Sequence, residues 1–435
     1  MPPMPSINSV LSQDLILDIL DHLAVPLAFH ERKCDLPVLS ACSQVCRVWS
    51  SQSQRLLFRR VIIPHNIHRL PYLRGTSRNA LPSFLDAIDP TTERGRHLGS
   101  CVLSFTLRHT GRDADVVVTY PVWLATALLR TPNLRHLNVT TLLCDFTQEA
   151  LEDIRKRGPK ITSLCILQDF SPAVVQHRRI MHQLVAAFPT IRLLEVTANL
   201  SPTLTPFDPP VSLALVSVKF NAMLATDFGP CLASLMQKPT EEGEVDSPPK
   251  HSEGLQLISH TSTRDSRPTL SAILNQHASS LRSLSLKTVA LDSPESQAAL
   301  RNCTRLERLE LGTLPSSSST SIAASLFALP PTLTTLLIGG PRAAPPDPLA
   351  VEALTRHIQM DSALPKLRTL SWHVSGSSPT QELIEVCRGR GVELNVRTGP
   401  GVNVDVGLLD GGRDGGDLIE ENAVEVELRR KYLRI

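Results

Sequence analysis

The sequence predicts an α/β chain, with a small N-terminal three-helix unit followed by an irregular strand–helix solenoid. Three observations predict it. An apolar stripe at helical spacing opens the chain, and a second follows after a loop. Beyond about residue 81 a short phrase, L-x-x-L-x-[LVI], recurs with helical patterns between its copies.

The opening stripe is Leu11, Leu15, Ile16, Ile19, Leu20 and Leu23, which share one helix face. Ser12 is placed to cap this helix, and Asp14 lies in its first turn, near the positive end of the helix dipole. The connection from Ala24 to Lys33 is broken by Pro26. Asp35 can cap the next helix, with Pro37 tolerated in its first turn. Val38, Ala41, Cys42, Val45, Cys46 and Trp49 then form a second stripe, and Gln54 to Phe58 a third short piece. Arg59 to Ile63 turns into a strand closed by Pro64.

The recurring phrase reads Leu134-x-x-Leu137-x-Val139, Ile161-x-x-Leu164-x-Ile166 and Ile191-x-x-Leu194-x-Val196. It returns as Leu281-x-x-Leu284-x-Leu286, Leu306-x-x-Leu309-x-Leu311 and Leu367-x-x-Leu370-x-Trp372. Weaker copies start at Leu213 and Leu333, and Val392-Glu-Leu394-Asn-Val396 is a late one. Starts fall mostly roughly 22 to 34 residues apart, near the leucine-rich-repeat period. Helical patterns lie between them at Phe146 to Arg157, Gln176 to Phe188, Thr269 to Ser279, Glu295 to Cys303, Leu349 to Gln359 and Gln381 to Arg388. One strand–helix unit leaves its apolar face uncovered, whereas stacked units bury it and align the strands along one wall. Outward strand positions, among them Arg135, His136, Asn138, Arg192, Glu195, Arg282, Ser285, Glu307, Arg308, Glu310 and Arg368, are polar and of mixed charge.

The domain boundaries expected are 9–61 for the helical unit and 62–398 for the repeats. An acidic, Pro-rich insertion at 237–254 reads as a disordered loop. Residues 399–435 read as a Gly-rich linker and a charged tail able to form a last helix.

Composition narrows the function. Lys plus Arg number 44 and Asp plus Glu 42, so no global basic field is present to meet nucleic acid or a membrane surface. No apolar run approaches the ~20 residues of a membrane span. The N-terminus lacks a basic region before its apolar stretch, so a signal peptide is not expected and a cytoplasmic or nuclear home is. The nine cysteines are scattered, with no C-x-x-C pair, which points to neither a disulfide framework nor a zinc site. Cys42 and Cys46, four apart, read as small buried hydrophobes. No phosphate loop, nucleophile elbow, H-E-x-x-H or kinase motif set is found, so no enzyme, cofactor or metal is expected.

The N-terminal segment resembles an F-box. The matching pieces are Leu11 to Leu23, then Leu39-Ser-Ala-Cys42-Ser-Gln-Val45-Cys46-Arg-Val-Trp49, then Leu57-Phe58. Ser12 stands where the family usually has proline and Asp14 where glutamate is common, and the spacer before Asp35 is longer than usual. The whole chain is similar to the F-box/leucine-rich-repeat proteins of mushroom-forming fungi. In the repeats, the asparagine or cysteine that normally follows the phrase is mostly missing, so the turns must satisfy their backbone groups in another way. The resemblance implies a substrate-recognition subunit of a Skp–cullin–F-box (SCF) ubiquitin ligase. Such a chain docks a Skp-family adaptor and, through it, a cullin-RING ligase, while its repeats hold an unknown protein target. Leu11, Leu15, Ile19, Leu20, Leu23, Val45, Cys46, Trp49 and Phe58 are the candidate adaptor-binding residues, to be divided between that interface and the unit's own core. The competing expectation is an adaptor-binding scaffold with no part in ubiquitination.

Overall fold

The computed structural model describes residues 15–16, 18–20, 36–65, 80–109, 114–140, 146–168, 179–198, 213–222, 235, 254–261, 267–286, 293–312, 329–340, 346–360, 362–374, 378–396 and 422–433. Twelve strands form one sheet in strict sequence order, β1 to β12. The paired strands run parallel. Parallel neighbours in chain order require a crossover in every connection, and among the described residues a helix lies in eight of the eleven. The fold is therefore α/β and a strand–helix repeat, as the phrase predicts. The expected insertion at 237–254, all but its last residue, and the linker at 399–416 lie outside the described residues.

The chain packs as two compact units. One comprises Met1–Cys165 with Arg179–Phe188 and Ile435, the other Ile166–Arg178 with Pro189–Arg434.

In the first unit, residues 15, 16 and 18–20 are helical. They precede α1 (Leu36–Cys42), α2 (Arg47–Arg59) and β1 (Arg60–His65). The second apolar stripe, expected as one run from Val38 to Trp49, is split. The last helical bond is Ser43 N–H to the Leu39 carbonyl at 3.0 Å, and tighter turns follow, with Gln44 donating to Ala41 and Val45 to Cys42. Ser43 Oγ donates to the Ser40 carbonyl at 2.6 Å, the local competition that makes serine a poor helix interior residue. Cys46 is extended (φ −161°), and α2 starts after it, absorbing the expected third piece into one helix. Cys42 and Cys46 thus sit on different elements. The unit continues with α3 (Ala80–Ala87), α4 (Glu93–Cys101), β2 (Ser104–His109), α5 (Ala114–Arg130), β3 (His136–Thr140), α6 (Gln148–Arg157), the first half of β4 (Ser163–Gln168) and α7 (Arg179–Ala187). Thr147 caps α6 by accepting from Ala150 N–H at 3.2 Å, and Gly158 ends it, as its basic last turn and Gly-Pro stop predict.

The second unit carries β5 (Leu193–Ala198), β6 (Ser217–Ala222), β7 (Leu257–Thr261), α8 (Arg267–His277), β8 (Ser283–Leu286), α9 (Pro294–Arg301) and β9 (Arg308–Leu311). It ends with β10 (Thr335–Gly340), α10 (Pro348–Gln359), β11 (Thr369–Val374), α11 (Gln381–Gly389), β12 (Glu393–Val396) and α12 (Ala423–Leu433). The phrase sets its core. Leu194, Val218, Ile258, Leu284, Leu309, Leu336, Leu370 and Leu394 stand in register across eight strands. All but Leu394, on the edge strand, are buried.

The turns in which the usual asparagine is missing lie outside the described residues, but the opposite ends of the strands share a backbone device. At the start of eight strands, one carbonyl of the preceding repeat accepts two consecutive N–H groups of the next. Leu103 accepts from Arg135 and His136, Arg135 from Thr162 and Ser163, and Arg192 from Val216 and Ser217. The pattern recurs at Val216, Gln256, Arg282, Glu307 and Thr334, with N···O distances of 2.8–3.1 Å throughout. Each shared carbonyl uses both lone pairs, so the backbone groups at these strand starts are satisfied without a side chain. Because the device asks nothing of the side chains, the residues there are free to vary.

Among the described residues, Gly339 is the one strand position where backbone shape dictates the residue. Its φ is +97°, and a Cβ there would meet the His373 carbonyl oxygen at 2.4 Å. Gly339→Val is expected to cost at least about 2 kcal/mol in urea unfolding, from strained backbone plus the clash with β11.

Candidate interaction surfaces

The helical cluster divides the nine candidate residues. Ile16, Leu20 and Leu39 are buried and form its centre, with Cys42, Trp49, Leu56 and Leu57 packed against them. Leu20 has no exposed surface. Leu20 and Trp49 therefore fall on the core side. Leu15 and Ile19 share a helix face four residues apart, and both are exposed, Leu15 by 45%. Val38 is exposed too, and Val45, at the tip of the turn between α1 and α2, is 60% exposed. Cys46 is half-buried at the start of α2. Leu11 and Leu23 lie outside the described residues.

Phe58, also half-buried, has a place that the spacing of the first segment does not disclose. Val61, Phe105 and Leu137 are in register across β1 to β3. Three residues before each stand Phe58, Val102 and Leu134, the first position of the repeat phrase. Leu103 N–H donates to the Arg59 carbonyl at 3.0 Å, as Arg135 does to Leu103. Phe58 thus opens the first repeat, and α2 passes without a break into β1.

The second surface is the outward side of β5 to β8, and α12 lies on it. Val424 and Leu428, one turn apart on α12, are 4% and 1% exposed. Around them polar contacts bind the helix to the strands. Asn422 Nδ2 donates to Ser283 Oγ at 2.7 Å. Glu425 pairs with Lys219, and Glu427 with Arg282 at 2.9 Å. Arg429 reaches Glu195 at 3.8 Å and Glu425 at 2.5 Å. Arg282 also holds Glu307 at 3.0 Å, and these two acids keep its guanidinium firmly charged. In β8 both faces are buried, the outward Ser283 and Ser285 included, whereas β9 alternates buried with half-exposed. The sequence hinted at α12 through its charges. The apolar pair Val424 and Leu428 was the further signal of an attached helix, since i, i+4 spacing makes one stripe.

Burial pushes the Glu425 carboxyl up, but Lys219 and Arg429 outweigh it and hold it below the ordinary glutamate value. A depressed carboxyl contributes stability above its unfolded-state value and loses it as the pH falls through its folded-state value. The hold of α12 on the strands therefore weakens in acid. Glu425→Gln is expected to lower stability at pH 7 by about 1.5–3 kcal/mol and to flatten part of the acid drop. Urea midpoints of both forms between pH 7 and 3.5 check it.

Four other perturbed groups, all buried, are dispersed. Burial pushes the Cys303 and Cys387 thiols up to about 11 and lowers His277 and His357 below the usual imidazole range. Each is a neutral group inside its own repeat, the opposite of an activated thiolate. Among the described residues no three His, Cys, Asp or Glu side chains are grouped to hold a metal ion. No helix among them is long and apolar enough to cross a membrane.

No protein-family model matches the chain, and no curated protein sequence matches it. Solved structures give weak likenesses. A Bacteroides fragilis protein is 8% identical, with 76% of this chain and 72% of that one covered, at a TM-score of 0.35. The TLR13–ssRNA13 complex is 14% identical over 69% of this chain and 41% of that one, at 0.34. The Rad7 and Elc1 complex in yeast is 13% identical over 88% and 92%, at 0.29. At these scores the likenesses carry no argument, and the α/β repeat assignment rests on the twelve-stranded sheet itself.

Proposed function

We propose that the chain is the substrate-recognition subunit of an SCF-type ubiquitin ligase. The helical cluster docks a Skp-family adaptor, and the part of the repeat surface that α12 does not cover holds a target protein. The chain itself carries no chemistry. It raises the effective concentration of a target's lysines near the ubiquitin donor. The supporting observation is the division of the helical cluster. Ile16, Leu20 and Leu39 close a core, while Leu15, Ile19, Val38 and Val45 stay at the surface immediately before the first repeat. Exposed aliphatic groups on a helix face and an adjoining turn are what a helical docking interface needs. Each contributes roughly 1.5–3 kcal/mol when fully buried by a partner.

Capture of a purified Skp-family adaptor tests this. The intact chain is expected to retain it, and the triple variant Leu15→Asp/Ile19→Asp/Val45→Asp to bind at least tenfold more weakly with unchanged circular dichroism. Equal capture by the two would refute the docking surface. Reconstituted ubiquitination with captured targets separates a receptor from a scaffold.

A further inference from the structure

We infer that the outward face of β5 to β8 is a binding site for a short amphipathic helix, and that residues 422–433 of this chain occupy it in cis. The partner it fits is a helical segment of another protein with the same chemistry. That chemistry is an aliphatic pair at i and i+4, carboxylates at i+1 and i+3, and an arginine at i+5.

The site is built for such an occupant. Two rows of outward residues cross the four strands in register, Leu193-Ser217-Leu257-Ser283 and Glu195-Lys219-Ser259-Ser285. Four of these eight are serines, so little side-chain bulk stands between a helix and the sheet. All four serines are buried, although they point away from the row of Leu194, Val218, Ile258 and Leu284. Charges bracket the small residues. Lys219 and Arg282 receive Glu425 and Glu427, and Glu195 receives Arg429. The helix thus meets complementary signs along its length, and Val424 and Leu428 fill the centre. An isolated helix of this length is marginal in water, so its order comes from the surface it covers.

Residues 397–421, Gly-rich in sequence, join β12 to this helix. A covalent connection makes occupancy intramolecular, at an effective concentration on the order of millimolar. An outside helix must then compete against its resident copy, which sets a threshold for the partner. This inference is independent of the ubiquitin-ligase reading, and its test involves neither adaptor nor ubiquitin.

A fluorescent peptide of residues 420–435 is titrated with two full-length chains, intact and Val424→Asp/Leu428→Asp. The peptide is expected to bind the double variant at least tenfold more tightly, because its site is vacated while the strand face is unchanged. Adding Lys219→Glu to that variant is expected to weaken binding at least tenfold, and a peptide carrying Glu425→Lys to recover it. A polyalanine peptide keeping only the Val424, Glu425, Glu427, Leu428 and Arg429 side chains is expected to bind within about threefold of the native one. The inference is overturned if intact and double-variant chains bind alike, or if the charge exchange gives no recovery. It is overturned too if the polyalanine peptide fails, or if light scattering shows an intact dimer that the double variant dissociates, since the helix would then sit on a second copy. Recovery by charge exchange cannot arise from an unfolded chain, so a folding defect is not mistaken for a lost contact.

Discussion

Replacing Leu20 by glutamate is expected to unfold the N-terminal helical cluster and to abolish adaptor capture with it. Leu20 is fully buried between Ile16 and Leu39, with Cys42, Trp49, Leu56 and Leu57 packed on that centre. A carboxylate there has no cation among these neighbours, and an uncompensated buried charge costs about 4 kcal/mol or more. The cluster is small and has no reserve of that size. The surface triple variant at Leu15, Ile19 and Val45 places its carboxylates in water, where substitutions usually stay within about 0.5 kcal/mol. Both variants lose capture, but only Leu20→Glu loses helix content and thermal cooperativity, so circular dichroism beside the capture assay separates them. If Leu20→Glu keeps a wild-type melt, the cluster is not the folding unit described. Trp49, packed on the same centre, belongs with Leu20 in this respect, and its substitution reports on folding before it reports on docking.

The second large effect is expected at Trp372. It replaces the last aliphatic of the repeat phrase in β11 and is fully buried, in register with Ile338 of β10 and Val396 of β12. Trp372→Ala is expected to cost about 3–5 kcal/mol in urea unfolding, from lost burial plus the cavity left behind. In a repeat array each unit leans on its neighbours, so the loss is expected to spread to β10 and β12. Hydrogen exchange checks this, with protection falling in residues 335–340 and 393–396 and changing little in residues 60–65. Trp372→Phe, which keeps most of the volume, is expected to recover over half of the loss.

Much of the repeat fold was legible because its rule is local. An apolar residue at positions one, four and six commits a segment to a strand with one buried face, and the strands at Leu134, Ile161, Ile191, Leu281, Leu306 and Leu367 each start two residues into their copy. Two strands escape the phrase as the clear copies write it. The β2 region carries the phrase as Val102-x-x-Phe105-x-Leu107, with a bulky aromatic in the middle, and β7 as Leu255-x-x-Ile258-x-His260, where a histidine ends it. Both keep the spacing, and only the residue types differ. The break between α1 and α2 was hidden for the opposite reason. The apolar spacing from Val38 to Trp49 continues through it, and only the backbone at Ser43 to Cys46 reveals the turn.

By itself the sequence determined the period, the inward positions of the clear copies and the order of strand and helix around them, because these follow from alternation and helical spacing within each segment; the copy read from Leu213 begins at Leu215 in the structure. It also marked the nine residues of the helical unit, without their sides. Tertiary structure decided those sides, since Leu15 and Leu20 are equally apolar and only packing distinguishes an exposed leucine from a buried one. It also decided the fate of the outward strand surface. Glu195 and Arg282 read in sequence as outward polar positions, and contact with a helix some 140 to 230 residues away in the chain makes them, with Lys219, a seat for Glu425, Glu427 and Arg429. Charge complementarity between segments so far apart has no local signature, because it exists only once the sheet has set the spacing of its strands.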